Sequence, residues 1–491
     1  MIDVAIVGAG PAGVVAANLC GQYGLSAVAF DREPEVYDLP RAAGMHDDVQ
    51  RILQNAGLLE AILPGTQEHV GAEFLDPEGK RLIGIEFPGL KTLNGFPPVL
   101  SIAQPIIEKG LRGCLARHDD VELCVSHEVR EIAEHDDHVE LRVHDLAHGE
   151  GRPVRARWVI GADGASSAVR KGCGISWDSL GYDREWLVID VERELSAELP
   201  RLAQQICDPA RPTTLIPMPG RLYRWEFQLR AGETRAEMED RDRVWELLAP
   251  WVSREDARIL RAVVYRFHAT VADTFRRGRV FLAGDAAHQT PPFMGQGLCT
   301  GVRDAENLIW KLAAVKRGHA TDALLDTYTE ERHPMAVAMV LHSTNTGRLI
   351  DAYADMTVTG EPPPADLIGY GYGGSKELPN LSTGLLADGG SDWVGRLMPQ
   401  CKVKDGTKVG SLDDLAGPRW VVLSKDPPRD ILTQGQKRAW ESLGAAFLEL
   451  DDPGAEWLLG AGDVALLRPD RVVFSLGSDK SLPSAFAHRT V

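Results

Sequence analysis

Two rhythms of apolar residues alternate along the chain. Short apolar runs that stop at Gly or Asp, namely Asp3 to Val7, Ala27 to Phe30, Trp158 to Ile160 and Val280 to Leu282, read as core strands. Apolar residues spaced three and four apart predict helices over Val14 to Tyr23, Asp47 to Gly57 and Ile102 to Cys114. A further helix, beginning after Gly297, carries the stripe Val302, Ala305, Leu308, Ile309 and Leu312. Ala72 to Leu75 and Arg81 to Phe87 form a hairpin around Asp76-Pro77-Glu78-Gly79, and Val139 to Val143 with Val154 to Ile160 form another. From Trp186 to Phe267 the pattern turns strand-rich, with a turn at Pro219-Gly220 between Thr214 to Pro217 and Leu222 to Leu229. After Pro334 helical spacing continues to about Ala354, and a Pro/Gly-rich connector follows over Gly360 to Pro364 and Gly369 to Gly374. Strands at Trp420 to Leu423, Ala446 to Leu450, Val464 to Arg468 and Val472 to Ser475 then surround a helix at Gln436 to Ala445. The alternation predicts an α/β protein with a sheet-rich insert, the natural platform for a substrate.

The chemistry gathers where strands end. Gly8-Ala9-Gly10-Pro11-Ala12-Gly13 follows the first strand and opens the first helix, the context a dinucleotide fingerprint requires. Gly8 makes the tight turn, Gly10 leaves room for a pyrophosphate, Gly13 lets helix and strand pack, and the helix N-terminus faces the phosphates. Asp31 ends the second strand about 20 residues on, where a carboxylate accepts bonds from ribose hydroxyls. Arg32 is placed along the adenosine. The stretch Arg279 to Leu312 joins a strand, Gly284-Asp285, a loop with Pro291, Pro292, Gly295 and Gly297, and a helix whose free N–H groups suit an anionic ligand. A third strand runs into Gly161-Ala162-Asp163-Gly164, followed by Ser166, Ser167 and Arg170. Asp163 can order the neighbouring backbone, and Arg170 offers charge to phosphates or a nicotinamide nucleotide.

Composition narrows the partners. The 491 residues carry a net charge of −18 and no long basic run, which disfavours nucleic acid and anionic membrane surfaces. The seven cysteines form no C-x-x-C and no metal-ligand spacing, and read as reduced thiols of a cytoplasmic protein. The chain begins almost on a core strand, leaving no room for a signal peptide, and no apolar run reaches membrane-spanning length. His135-Asp136-Asp137-His138 reads as a solvated hairpin end, so no metal is expected.

The fingerprint at Gly8 to Gly13, Asp163-Gly164 with Ser167 and Arg170, and Gly284-Asp285-Ala286-Ala287-His288 together resemble the single-component FAD aromatic hydroxylases of the para-hydroxybenzoate hydroxylase fold. The resemblance spans residues 1 to about 345 and takes in Leu39-Pro40-Arg41-Ala42, Gln104-Pro105 and Leu325 to Arg332. Tyr37 to Ala42, Arg224-Trp225-Glu226-Phe227 and the C-terminal extension look most like 3-(3-hydroxyphenyl)propionate hydroxylases.

That resemblance implies a Rossmann-like FAD-binding domain interleaved with a β-sheet substrate domain, plus a thioredoxin-like C-terminal domain. The expected boundaries are residues 1–180 (with a 68–100 hairpin on the substrate side) and 269–355 for FAD, 181–268 for the substrate, a linker at 356–395, and 396–491 for the last domain. Gly8, Gly10, Gly13, Asp31 and Arg32 are expected to hold the ADP half of FAD, with Arg41, Gln104 and Asp163 along its middle. Gly284 and Asp285 are expected at the ribityl or pyrophosphate portion, and Pro292, Gly295, Gly297 and Leu298 at the isoalloxazine. Cys299 departs from the family's frequent asparagine. The implied reaction uses NADH or NADPH and molecular oxygen to hydroxylate a phenol ortho to its hydroxyl through a flavin C4a-hydroperoxide.

Alternatives stay open at single residues. His46 is a candidate base or a capping histidine, and Asp47 a candidate relay or a helix N-terminal charge. Arg224 can bind a substrate carboxylate or sit on a solvated face; Tyr223 can contact the arene or pack in the sheet core. His288 reads as support for the Asp285 turn. The same scaffold also suits a non-oxygenating FAD reductase or dehydrogenase, or a flavin-binding redox-responsive interaction protein, and a homo-oligomer is left open.

Overall fold

The computed structural model describes residues 1–39, 41–194, 198–369, 379–387, 391–462, 464–477 and 480–486. Pro40 and most of the Gly369 to Gly374 connector lie outside the described residues.

One sheet is built around the glycine turn. Its strands run in the order Arg276–Arg277, Val280–Leu282, Gly151–Gly161, Ile2–Val7, Ala27–Phe30, Val121–Cys124, and from Val280–Leu282 onward neighbours are parallel. Ile2–Val7 has Gly151–Gly161 on one side and Ala27–Phe30 on the other, so the winding reverses at its carboxyl end. That is the crevice where open α/β sheets take ligands. Val4, Ala5 and Ile6 are fully buried there, which explains the unbroken apolar run. The first half of Gly151–Gly161 pairs instead with Val139–Asp145, in an antiparallel meander that includes His127–Glu134.

The second sheet runs His288–Gln289, Ala257–Ala272, Trp177–Arg193, Leu222–Gln228, Thr213–Pro217, Ala203–Ile206, Gly71–Leu75, Arg81–Glu86. Period-two alternation divides its faces. Tyr223, Trp225 and Phe227 join Leu187, Ile189 and Leu248 in a separate core, while Arg224 and Glu226 point the other way. The helix Arg241–Leu248 that covers this core was not anticipated. Its signal is local: Asp240 accepts from the N–H groups of Asp242 and Arg243, just after a short helix Arg235–Met238 that Thr234 and Glu237 start with a capping box. His288–Gln289, just after the Asp285 turn, pairs with Thr270 and Val271 and so ties the two sheets together.

The helix Thr327–Thr359 runs past the predicted end at Ala354, and Gly360 (φ 74°) closes it in the left-handed region. The C-terminal sheet, Lys408–Ser411, Lys402–Asp405, Ala446–Leu450, Val421–Ser424, Val464–Leu467, Val473–Leu476, adds an unpredicted hairpin whose lysine-rich edge lacked an apolar signal. Buried charges join this sheet to the rest. Arg468 donates to Glu331 (2.9 and 2.7 Å), to which Lys311 also donates (2.8 Å), and Asp413 accepts from both Arg51 (2.6 Å) and Arg471 (2.8 Å). Among the described residues no helix is long and apolar enough to cross a membrane.

Candidate active site

A cavity of about 540 Å³ lies between the carboxyl edge of the first sheet and the Arg224 face of the second. That volume is in the range of small-molecule and cofactor sites. On one wall, Gly10, Pro11 and Ala12 begin the helix Pro11–Gln22, and Gly295 to Leu298 begin Gln296–Lys316. Two helix N-termini, each with unpaired N–H groups and partial positive charge, therefore face one space. Gly8 (φ +95°) can carry no side chain, because a Cβ there would stand 2.4 Å from the Ala162 carbonyl oxygen. A Cβ on Gly10 or Gly297 would meet nothing within 4 Å, so these backbones are open to a ligand. The arrangement fits an extended, doubly anionic cofactor such as FAD.

Asp285 stands between those termini on the turn Gly284–Ala286. Its side chain opens to the cavity. Burial pushes its carboxyl up, and His288 and Arg41 oppose that rise. The turn is held from behind by Asp304, which accepts from the Gly284 N–H (3.0 Å), His288 Nε2 (2.7 Å) and Arg332 Nε (2.8 Å). His288 and Asp304 are fully buried, so His288 acts as turn support. The proline loop is fixed as well: His46 Nε2 donates to the Met294 carbonyl (2.9 Å) and Ser343 to that of Pro291 (2.7 Å).

The opposite wall is a cross-strand ladder. Asp190 lies opposite Arg224 on one neighbouring strand and opposite Arg261 on the other, and it pairs with both. Arg224 also donates to the Arg41 carbonyl (2.6 Å). In the next row Glu226 stands between Thr214 and Val188. Burial pushes the Glu226 carboxyl up against the pull of Arg224. Val188, Ile216, Tyr265 and Phe267 supply apolar and aromatic surface.

Several anticipated residues take other places. Gln104 Oε1 accepts from the N–H groups of Arg41 (3.2 Å) and Ala42 (2.7 Å), shaping the loop that lines the cavity. Asp163 is used by Ser167 (2.6 Å) and the N–H groups of Ala168 and Val169 (2.7 and 3.1 Å), so it caps a helix while Gly164 and Ala165 form the wall. Arg170 donates to the Ile175 carbonyl and covers the Trp177 ring, its charge turned from the cavity. Arg32 is exposed and pairs with Glu33. Asp47 is outside the wall, because its carboxylate turns to Asn94 (2.6 Å). Tyr223 belongs to the opposite sheet face, its hydroxyl on the Pro200 carbonyl (3.2 Å), and lines a separate cavity of about 520 Å³. Arg224 is in the wall, but its guanidinium is committed to Asp190 rather than open to a carboxylate. Cys299 packs in the core behind the helix start, where burial pushes its thiol up to about 11; the departure from asparagine falls away from the cavity surface.

Arg112, Asp190, Arg261 and Asp304 were missed. Arg112 donates to both Asp31 (2.7 Å) and the Ala9 carbonyl (3.0 Å), locking the ribose-end carboxylate to the glycine turn. No local motif marks it, because its partner is 81 residues away.

The family described as FAD binding domain matches residues 1–343, and the HcaD C-terminal domain matches residues 395–490. The chain is 33% identical to the probable NADH-specific resorcinol 4-hydroxylase of Rhodococcus jostii (strain RHA1), over 100% of this chain and 94% of that protein. It is 34% identical to the 3-(3-hydroxy-phenyl)propionate/3-hydroxycinnamic acid hydroxylase of Mycolicibacterium smegmatis, over 91% of this chain and 81% of that one. Among solved structures, the flavin-dependent monooxygenase PieE with FAD and substrate superposes with a TM-score of 0.82 at 22% identity, covering 98% of this chain and 96% of that one. Aklavinone-11 hydroxylase with FAD and aklavinone gives 0.81 at 22% identity, again covering 98% and 96%. With a cavity built for a doubly anionic cofactor, a sheet-lined second wall and relatives matched along nearly their whole length, the chain belongs to the FAD-binding-domain family of FAD-dependent aromatic hydroxylases.

Proposed function

We propose that this protein hydroxylates a small phenolic arene, using FAD, a reduced nicotinamide nucleotide and molecular oxygen, with NADH as the donor. The observation that carries the reading is the two-walled cavity: helix N-termini and Asp285 on one side, a buried polar and aromatic sheet face on the other. In this reading residues 1–180 and 269–355 hold FAD, residues 181–268 with the 68–100 hairpin hold the arene, and residues 396–491 are structural. The N–H groups of Gly10 and Ala12 receive the pyrophosphate, Asp31 the ribose, and Asp285 the ribityl chain. Bound FAD supplies two-electron redox chemistry and the activation of oxygen. The N–H groups at Gly297 and Leu298 stabilise negative charge on the reduced ring system, and Pro292 bounds the space beside it. His46 holds the proline loop in register with the wall through its bond to Met294. Val188, Ile216 and Phe267 exclude water from the arene and orient it. All seven cysteines are free, which suits a cytoplasmic enzyme.

The test is direct. Purified protein should be yellow, should oxidise NADH faster when a phenol is added, and should place one labelled oxygen atom from O₂ in the product. Phenol-independent NADH oxidation with no label in any product supports the reductase reading instead.

A further inference from the structure

Gln296 opens the helix Gln296–Lys316 and lines the cavity, yet it is only 3% exposed. One end of its amide is already engaged. Arg303, two turns further along the same helix, donates from Nη1 to Gln296 Oε1 (2.9 Å). A guanidinium can only donate, so the atom facing it must be the amide oxygen, and the NH2 is turned the other way. Arg303 is itself fixed, because Asp48, in the first turn of the helix Asp47–Asn55, accepts from its Nε and Nη2 (2.5 and 2.9 Å). The NH2 of Gln296 donates to nothing among the described residues. Once a ligand fills the cavity and displaces water, those two N–H groups need an acceptor from the ligand itself.

The acceptor can be named by its charge. Gly297 and Leu298 follow on the same helical turn, and their backbone N–H groups are assigned above to the ring system of FAD. Reduction leaves that ring with negative charge, and a hydrogen bond to a charged acceptor is roughly twice as strong as one to a neutral acceptor. A donor held there therefore favours the reduced ring over the oxidised one. We propose that the Gln296 side chain donates to the isoalloxazine and raises its reduction potential, with Asp48 and Arg303 as positioning residues that keep the amide NH2 turned toward the ring. The proposal rests on the placement of the ring at this helix start.

The test is the two-electron midpoint potential of the FAD-loaded full chain, from reductive titration against a dye of known potential. Gln296→Met keeps the side-chain length and removes both donors; it should lower the potential by about 30 mV or more, which is tenfold in the reduction equilibrium. Gln296→Glu still accepts from Arg303 but brings a negative charge and no donor, and should lower it further. Arg303→Lys keeps a cation for Asp48 without the planar fork. Its potential should fall part of the way, and the double variant Arg303→Lys with Gln296→Met should fall no further than Gln296→Met alone. A potential within about 10 mV of native in both Gln296 variants, roughly twofold in the equilibrium, overturns the proposal. An unshifted Arg303→Lys, or a drop that adds in full to that of Gln296→Met, overturns the positioning role. Gly297→Ala tells the two failures apart, since a Cβ there meets nothing within 4 Å and enters the space assigned to the ring. FAD affinity unchanged in Gly297→Ala refutes the ring placement itself, and labelled oxygen in the product reports on hydroxylation independently of the potential.

Discussion

Asp304→Ala tests how the cofactor turn is held. The native carboxylate is fully buried and serves three donors: a backbone N–H of the Gly284 turn, the His288 ring and the Arg332 guanidinium. Alanine leaves all three without that acceptor, and a buried guanidinium stripped of its partner costs about 3–5 kcal/mol. Asp304→Asn keeps the volume and one acceptor oxygen but loses the charge, for a cost of about 1.5–3 kcal/mol. Urea unfolding of the apoprotein, followed by tryptophan fluorescence, should rank the native protein above Asn and Asn above Ala. FAD titration should show at least about tenfold weaker binding for Ala, because Asp285 rides on the same turn. The acid limb supplies a second readout. Burial raises the Asp304 carboxyl, but His288 and Arg332 outweigh it and hold the group below the usual range. A depressed folded value contributes stability above about pH 4 that is lost as pH falls toward and through that value. The alanine variant should therefore have a flatter stability profile in that window. An apoprotein within about 0.5 kcal/mol of native, with unchanged FAD affinity, would refute the reasoning.

Further expectations concern neighbouring elements. Gly8→Ala should destabilise the apoprotein, since the new Cβ meets the Ala162 carbonyl at 2.4 Å; Gly10→Ala, with nothing within 4 Å, should leave apoprotein stability intact and weaken FAD binding. Calorimetry of both apoproteins beside FAD titration separates the two effects. Arg112→Met should weaken FAD binding roughly tenfold by removing the guanidinium that ties Asp31 to the Ala9 carbonyl and leaving the carboxylate held to the turn by the Ala9 N–H alone, a loss that fluorescence titration can measure. Arg468→Ala should cost about 3–5 kcal/mol by leaving Glu331 with one cation fewer, measurable by urea unfolding. Burial raises the Glu331 carboxyl, yet Arg468 and Lys311 draw it down to about 2, so its contribution is present above about pH 4.5 and lost as the pH falls from there toward 2. Acid titration should show this loss in the native protein and a smaller one in Glu331→Gln.

What the sequence disclosed was local. Gly8 to Gly13, Gly284-Asp285 and the start of the Gln296 helix could be read because each motif carries its backbone requirement in a few consecutive residues. Alternation also divided the strand Leu222–Gln228 into two faces, but it could not say which face was the cavity. Tyr223 stayed open between arene contact and sheet-core packing until the structure put it in the core, because orientation depends on what packs across from a residue. Arg112, Asp190, Arg261 and Asp304 depend on partners brought near only by folding, so spacing along the chain gave no sign of them. The C-terminal hairpin Lys402–Ser411 escaped because an exposed edge strand can be polar without penalty.

The buried charges between Glu331, Lys311, Arg468 and Asp470 have a consequence for synthesis. Lys311 lies on the very helix whose first turn faces the cofactor, while Arg468 is made more than a hundred residues later. A nascent chain halted before Arg468 holds Glu331 without its guanidinium partner. Stable capture of FAD should therefore coincide with completion of the C-terminal sheet, and ribosome-bound intermediates shorter than that should exchange the cofactor freely.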